Sequence, residues 1–256
     1  MKQTFTTYEI GATLTYEELL ATAKECGFAG VEFRTGHVHA HGIEIDMTPE
    51  ERLRARRAAE DMYLEVSCLN TPCSFHDKKT YAENIEEAKR EALLAHDLGC
   101  GRIRVFGNVI PDGEDAESCV ARVAEALKDV AAYAEPLEVD ILLEMHGQFN
   151  FWGYCVPAVR AAGMPNVGLM YNCDSRDLVG GSVRETFGRV KQYVRHVHLR
   201  NIESDFPFLE LFRELLKMDY DGYVSAEITA SPDAKRVLKM HSLCVNTLFA
   251  LAEKTL

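Results

Sequence analysis

The chain has 256 residues, 47% of them hydrophobic, and a formal net charge of -12. This acidic balance argues against a nucleic-acid partner or an anionic membrane surface, because phosphate binding needs clustered cations. Because no apolar run is long enough to cross a bilayer and no basic-then-apolar leader opens the chain, we expect a soluble, cytoplasmic protein without a membrane partner.

Strand-like and helix-like segments alternate along the chain. Strands are predicted at residues 3–7, 30–34, 64–70, 102–106, 139–147, 167–173, 194–200 and 222–228. Helices are predicted at residues 15–26, 48–62, 81–98, 115–134, 154–162, 182–193, 208–218 and 231–254. The first helix carries the clearest local signals, since Thr15 and Glu18 form a capping box pattern and Gly27 follows the last turn.

Two loops have unusual composition. Residues 36–42 contain His37, His39 and His41. An HxHxH run can bind a metal, but with no rigid backbone to hold it we expect a mobile, solvated loop or lid. The second loop, at residues 71–73, contains Pro72 and ends the third predicted strand.

Eight strand–helix pairs in a chain of this length are typical of an α/β fold of the (β/α)₈ type. The alternative is a doubly wound open sheet, whose GxGxxG fingerprint is absent. We therefore predict a single TIM barrel domain spanning residues 1–256. The eight cysteines form no CxxC pair, which favours reduced structural thiols over a disulfide framework or zinc knuckle.

The fifth strand ends in chemically active side chains. Because strand side chains alternate between faces, Leu142, Glu144 and His146 share the face opposite to Ile141 and Leu143. A buried carboxylate must be paired, bound to a metal or protonated. The alternative is a Glu that simply meets water at the strand end.

The next three strands end in the same way. Their predicted inward faces carry Asn172 and Asp174, then His198, then Glu227. In a (β/α)₈ barrel these strand ends meet at the C-terminal rim, where the active site lies. Two carboxylates, one imidazole and a further oxygen suit a divalent Mn²⁺, Mg²⁺, Co²⁺ or Zn²⁺ ion.

Five segments carry a family resemblance: FAGVEFR at 28–34, LEMHG at 143–147, VGLMYN at 167–172, HVHL at 196–199 and YDGYVSAE at 220–227. They resemble the sugar phosphate isomerase/epimerase family, in the xylose isomerase-like TIM barrel superfamily that also contains endonuclease IV. The resemblance implies one divalent ion, most simply Mn²⁺, held by Glu144, Asn172, His198 and Glu227. The family usually has Asp at the Asn172 position, so Asp174 is the alternative fourth ligand.

The resemblance also implies a metal-dependent isomerase or epimerase acting on a sugar or sugar derivative through an enediolate. Glu144 and Glu227 would remove and return the proton. His146 and Arg200 could bind substrate hydroxyls, with structural pairing to the carboxylates as the alternative. Glu32, Arg34 and Arg104 also lie on predicted inward faces. They could bind substrate, but we predict that these three residues form an ion-pair network in the core.

Three other functions remain open at this point. A metal-dependent lyase on an oxidised sugar or glycoside would use the same enolate chemistry. A non-catalytic carbohydrate-binding barrel would explain the neutral Asn172. An endonuclease IV-like repair enzyme is disfavoured by the net charge of -12. No Gly-rich phosphate loop is evident, which favours an unphosphorylated substrate, and a homo-oligomer is compatible with the sequence.

Overall fold

Eight parallel strands close into a barrel, in a computed structural model that describes all residues 1–256. The strands are β1 (Lys2–Thr6), β2 (Gly30–Arg34), β3 (Glu65–Ser74), β4 (Arg102–Phe106), β5 (Asp140–Glu144), β6 (Val167–Asn172), β7 (Val194–Leu199) and β8 (Tyr223–Ala226). Each strand pairs with its neighbours in sequence, and β1 also pairs with β8. The predicted (β/α)₈ barrel is therefore confirmed, and the open sheet is excluded.

One helix follows each strand. They are α1 (Tyr16–Cys26), α2 (Pro49–Asp61), α3 (Tyr81–Asp97), α4 (Ala116–Ala134), α5 (Trp152–Ala162), α6 (Arg184–Val190), α7 (Phe208–Lys217) and α8 (Ala234–Lys254). The capping box of Thr15 and Glu18 is present, and Thr48 and Glu51 form a second one at α2. None of these helices combines the length and the apolar character needed to cross a membrane.

Strand β3 is longer than the sequence predicts. It continues through residues 71–73, which were predicted as a loop, and ends at Ser74. The pairing with β4 shifts register between Asn70 and Ser74, so the missing N–H of Pro72 falls in an irregular part of the ladder. Arg104 supports this segment by donating from Nη1 to the Thr71 carbonyl oxygen (2.9 Å). The loop prediction is wrong because this irregular pairing lets the strand pass the proline.

The barrel interior contains both apolar and polar side chains. Cys68, Leu142 and Met170 form a small buried cluster inside the barrel. Glu144 and Asn172 lie two residues further along their strands, on the same inward face and nearer the C-terminal rim. In the register of the sheet, buried Glu32 pairs with Cys68 and buried His196 pairs with Met170, so polar side chains also reach this level of the barrel. All eight cysteines are free thiols, and only Cys244 is exposed, which agrees with the predicted structural role.

Candidate metal centre and active site

Three predicted site residues converge at the C-terminal rim. Glu144 ends β5, His198 lies in β7, and Glu227 follows β8 directly. The Nδ1 atom of His198 is 3.7 Å from Glu144 Oε1 and 3.7 Å from Glu227 Oε1. One potential ligand atom from each of the three residues lies within 4.8 Å of the others. The arrangement is compact enough for all three to hold one metal ion.

Buried polar atoms in this cluster lack hydrogen-bond partners. They are His198 Nδ1, Asn172 Oδ1 and Glu227 Oε2. A buried polar atom without a partner is costly, so such a group calls for a water, an ion or a ligand. One imidazole nitrogen, one amide oxygen and two carboxylates form a donor set that Mn²⁺, Mg²⁺, Co²⁺ or Zn²⁺ accepts. The residues therefore fit the divalent ion that the sequence predicts.

Of the two alternative residues on β6 and its following loop, the structure brings Asn172 to the cluster. Asn172 Nδ2 donates to Glu144 Oε1 (2.8 Å). Asp174 instead accepts from the backbone N–H of Arg176 (2.9 Å) and forms an ion pair with the Arg176 guanidinium (2.6 Å). The carboxylate of Asp174 is thus engaged in capping a short turn outside the cluster.

Changing Asn172 to Asp is expected to raise the affinity for a divalent ion by about tenfold or more, because ligand charge tunes affinity. The metal-free variant should be less stable than wild type, since the hydrogen bond to Glu144 becomes a repulsion between carboxylates. Calorimetric titration with Mn²⁺ and thermal unfolding with and without metal measure both effects. Asp174→Asn is the matched control and should leave Mn²⁺ affinity unchanged. Equal affinity of Asn172→Asp and wild type would exclude position 172 from the metal site.

A buried carboxylate on β2 orients His198. His198 Nε2 donates to Glu32 Oε1 (2.6 Å), and His196 Nε2 donates to Glu32 Oε2 (2.7 Å). Asn70 Nδ2 also donates to Glu32. All three hydrogen-bonding side chains and Glu32 itself are buried. Because Glu32 takes the proton-bearing Nε2 of His198, Nδ1 is left facing Glu144 and Glu227, as a metal-ligating histidine requires.

Burial and the charges of neighbouring members shift the pKa values of this buried group in opposite directions. Burial by itself raises the pKa of Glu32, but His198 and His196 lower it, and the net pKa lies well below its usual range. Burial lowers the pKa of His198, but Glu32 and Glu227 raise it, and the net pKa lies well above its usual range. The pKa of His196 is lowered, mainly by burial. Without a metal, His198 is therefore the protonated, positively charged member of the group.

Metal binding is expected to release a proton at neutral pH. A histidine must be deprotonated to ligate, and the pKa of His198 in the metal-free protein is raised above 6.5. Affinity for Mn²⁺ should consequently fall as the pH drops below this raised pKa, rather than only below the ordinary pKa. Calorimetric titration in buffers with different ionisation enthalpies measures the released protons. Proton release near zero at pH 7 would contradict this assignment.

Glu144 is held as a permanent anion. Its Oε2 lies 3.1 Å from Arg104 Nε, and both side chains are buried. Burial by itself raises the pKa of Glu144, but Arg104 and then His198 lower it to about 2. The guanidinium of Arg104 packs 3.9 Å from the centre of the Phe106 ring. The negative charge that a cation would need at this rim is therefore maintained across the physiological pH range.

His146 and Arg200 lie beside the cluster at the rim. Arg200 Nε is 3.4 Å from Glu227 Oε2, and about half of the Arg200 side chain is exposed. His146 Nδ1 lies 3.2 Å from Asn108 Oδ1, and its ring packs 5.0 Å from Phe106. Arg200 thus has the carboxylate pairing named as its alternative role, while both side chains still border the site.

Two expectations about neighbouring residues need correction. Glu32 joins no ion pair with Arg34 or Arg104; its partners are the two histidines of β7, and Arg34 forms no ion pair. The histidine run is not wholly solvated either, because His41 is buried. Its Nδ1 accepts from the backbone N–H of Ile43 (3.0 Å). Both errors arise because contacts between separate elements decide the outcome, and local sequence patterns do not encode them. Glu32 meets the histidines of β7, and the His41 ring packs 5.1 Å from the Phe33 ring with its Nε2 atom 3.4 Å from Thr7 Oγ1.

Comparisons with known proteins agree with the fold. The fructoselysine 3-epimerase of Escherichia coli O157:H7 is 20% identical over 238 residues, covering 84% of this chain and 86% of the relative. The 2-oxo-tetronate isomerase of Pectobacterium atrosepticum is 21% identical over 165 residues, which cover 57% of this chain and 62% of the relative. The crystal structure of the E. coli 3-keto-D-glucoside 4-epimerase superposes with a TM-score of 0.80 at 14% identity. The superposition covers 96% of this chain and 99% of the epimerase.

The named curated relatives are an epimerase and an isomerase, which supports an enzyme of that class. The family model described as a xylose isomerase-like TIM barrel matches residues 20–242, which is most of the chain. By this match, and with the closed barrel and its polar rim already in place, the chain belongs to the xylose isomerase-like TIM barrel family.

Proposed function

We propose that this protein is a metal-dependent isomerase or epimerase of a sugar or sugar derivative. The observation that carries the proposal is the cluster of Glu144, His198 and Glu227 at the rim, with buried ligand atoms that no protein group satisfies. Two of the relatives are named for reactions that move a proton at carbon next to a carbonyl. The same chemistry suits two carboxylates that face one small volume.

The metal ligands in this proposal are Glu144, Asn172, His198 and Glu227. A bound divalent ion would supply positive charge that stabilises the negative oxygen of an enediolate. Mn²⁺ is the expected ion, and Mg²⁺, Zn²⁺ and Co²⁺ are the alternatives. Glu32 would not ligate the metal itself. Its hydrogen bond to Nε2 of His198 would keep the Nδ1 atom of His198 directed at the metal.

The two carboxylates differ in their suitability for proton transfer. Glu227 Oε2 accepts no hydrogen bond, and 13% of the Glu227 side chain is exposed, against 2% for Glu144. Glu144 has a pKa of about 2 and is paired with Arg104, so it is a weak base. We assign proton removal to Glu227. Glu144 on the opposite side of the substrate, ionised at rest, would first take up a proton from solvent and then deliver it to the substrate carbon. His146 and Arg200 would hold substrate hydroxyls.

The test is solvent exchange of substrate protons. Protein purified without chelator is analysed for bound metal and then incubated in D₂O with a set of ketoses and keto acids, including fructoselysine and 2-oxo-tetronate. Deuterium uptake at the carbon next to the carbonyl, followed by a changed configuration or carbonyl position, supports the proposal. Release of an elimination product would identify a lyase instead. Metal-loaded protein that binds carbohydrate but exchanges no C–H would identify a non-catalytic barrel.

A further inference from the structure

One guanidinium at the rim has no protein partner. Arg34 is the last residue of β2, and its half-buried guanidinium lies 5.0 Å from the centre of the Tyr8 ring. Its side chain makes no hydrogen bond and no ion pair. The other rim arginines differ, because Arg104 pairs with Glu144 and Arg200 pairs with Glu227. A half-buried guanidinium at the rim that has no acidic protein partner keeps its N–H donors free to bind an anion from outside the protein.

Arg34 faces the same space as the carboxylates of the proposed metal centre. Arg34 follows Glu32 by two residues on β2, so the two side chains share the inward face that leads to this rim. In the closed strand order, β2 lies across the barrel from β6. A substrate whose carbonyl end is held by residues from β5 to β8 would therefore extend its other end towards Arg34.

The histidine loop adds neutral donors next to Arg34. Its base is anchored by buried His41 and by Glu44, which accepts from the backbone N–H of Gly36 (2.8 Å). The rings of His37 and His39 stack with a centroid distance of 5.9 Å. Burial, followed by the charge of Arg34, lowers the pKa of both, so they are uncharged at neutral pH. The Nδ1 atom of His39 is buried and has no partner.

We infer that Arg34, with His37 and His39, binds an oxyanion at the end of the substrate remote from the carbonyl. The inference rests on the proposed function and narrows its substrate to an acidic sugar. A planar guanidinium can bind a carboxylate or a phosphate with two parallel hydrogen bonds, so the number of available cations decides between them. Carboxylate is favoured because Arg34 is a single cation, whereas Arg104 and Arg200 are paired with glutamates. Phosphate sites more often gather several cations or backbone N–H groups.

The experiment uses three four-carbon probes of similar shape: D-erythronate, D-erythritol 4-phosphate and uncharged erythritol. Their binding to the metal-loaded protein is measured by calorimetry for wild type, Arg34→Met and Arg34→Lys. We expect wild type to prefer erythronate over erythritol. Arg34→Met should weaken erythronate binding about 10- to 100-fold, because hydrogen bonds to charged groups are lost. Arg34→Lys should be intermediate, since it keeps the charge but not the planar fork.

The control variant is Arg56→Met, which removes the same charge from an exposed ion pair with Glu60 on α2. It should bind all three probes like wild type. Tightest binding of the 4-phosphate, with the same loss in Arg34→Met, supports the anion site and assigns it to phosphate. Failure of wild type to bind either anion more tightly than erythritol overturns the inference, as does unchanged anion binding by Arg34→Met. Metal content is measured in each sample, because absence of metal contradicts the proposed function, whereas full metal without anion preference contradicts only the role of Arg34.

Discussion

Replacing Glu227 by Gln is expected to slow turnover by about 10²–10⁴-fold, the usual contribution of a general base. Gln has the same size and one oxygen that can ligate a cation, but it cannot accept the proton. The Oε2 atom of Glu227 accepts no hydrogen bond, and its ion-pair partner Arg200 is about half exposed and can be solvated instead, so the change should leave the surrounding packing intact. The measurements are metal content, substrate affinity and the rate of C–H exchange in D₂O.

Glu144→Gln is the comparison that separates the two carboxylates. It should also lose activity, but it removes the partner of buried Arg104 and therefore should lower stability and metal affinity as well. Glu227→Gln should retain its metal and stability while losing exchange. A Glu227→Gln variant with full metal and near-normal exchange would show that Glu227 is only a ligand. The role of base would then pass to His146 or another rim group.

Replacing Glu32 by Ala is expected to lower the free energy of unfolding by about 3–5 kcal/mol, because breaking a buried ion pair leaves an uncompensated charge. His196, His198 and Asn70 would each lose a buried hydrogen-bond acceptor. The folded-state pKa of Glu32 is lowered, so its stabilisation is present above the unfolded-state pKa and is lost as the pH falls through the lower folded-state value. Guanidinium chloride unfolding at pH 7 and at acidic pH measures both effects.

Glu32→Gln isolates the effect on the metal site. Gln can still accept the Nε2–H of His198 but lacks the negative charge, so Mn²⁺ affinity should fall about 10- to 100-fold. Glu91→Gln is the matched control on α3. Glu91 is also fully buried and accepts from Thr35 Oγ1 (2.7 Å), and burial raises its pKa to about 8. It is thus mostly protonated at pH 7, and its replacement should leave Mn²⁺ affinity unchanged. If Glu32→Gln binds Mn²⁺ with the affinity of wild type, the negative charge of Glu32 does not contribute to metal binding and its role is structural.

The sequence by itself determined the barrel and the membership of its rim. Period-two alternation along each strand places Glu144, His198 and Glu227 on inward faces, because successive side chains point to opposite sides. Parallel strands joined by helices bring their C-terminal ends to one rim, so residues from separate strands meet there. Both are consequences of local geometry repeated along the chain, which is why the candidate cluster could be predicted before its distances were known.

Only the tertiary structure decided which partners these residues take. Asn172 and Asp174 share a face in sequence terms, but the strand ends at Asn172, and the following turn commits Asp174 to Arg176. Glu32 meets His198 although β2 and β7 are separated around the barrel by β1 and β8. Such a contact across the barrel depends on closure of the whole sheet, which no local periodicity encodes. Closure of the sheet also leaves Arg34 without an acidic partner. Glu32, on the same face of β2, forms its ion pairs with His196 and His198 instead.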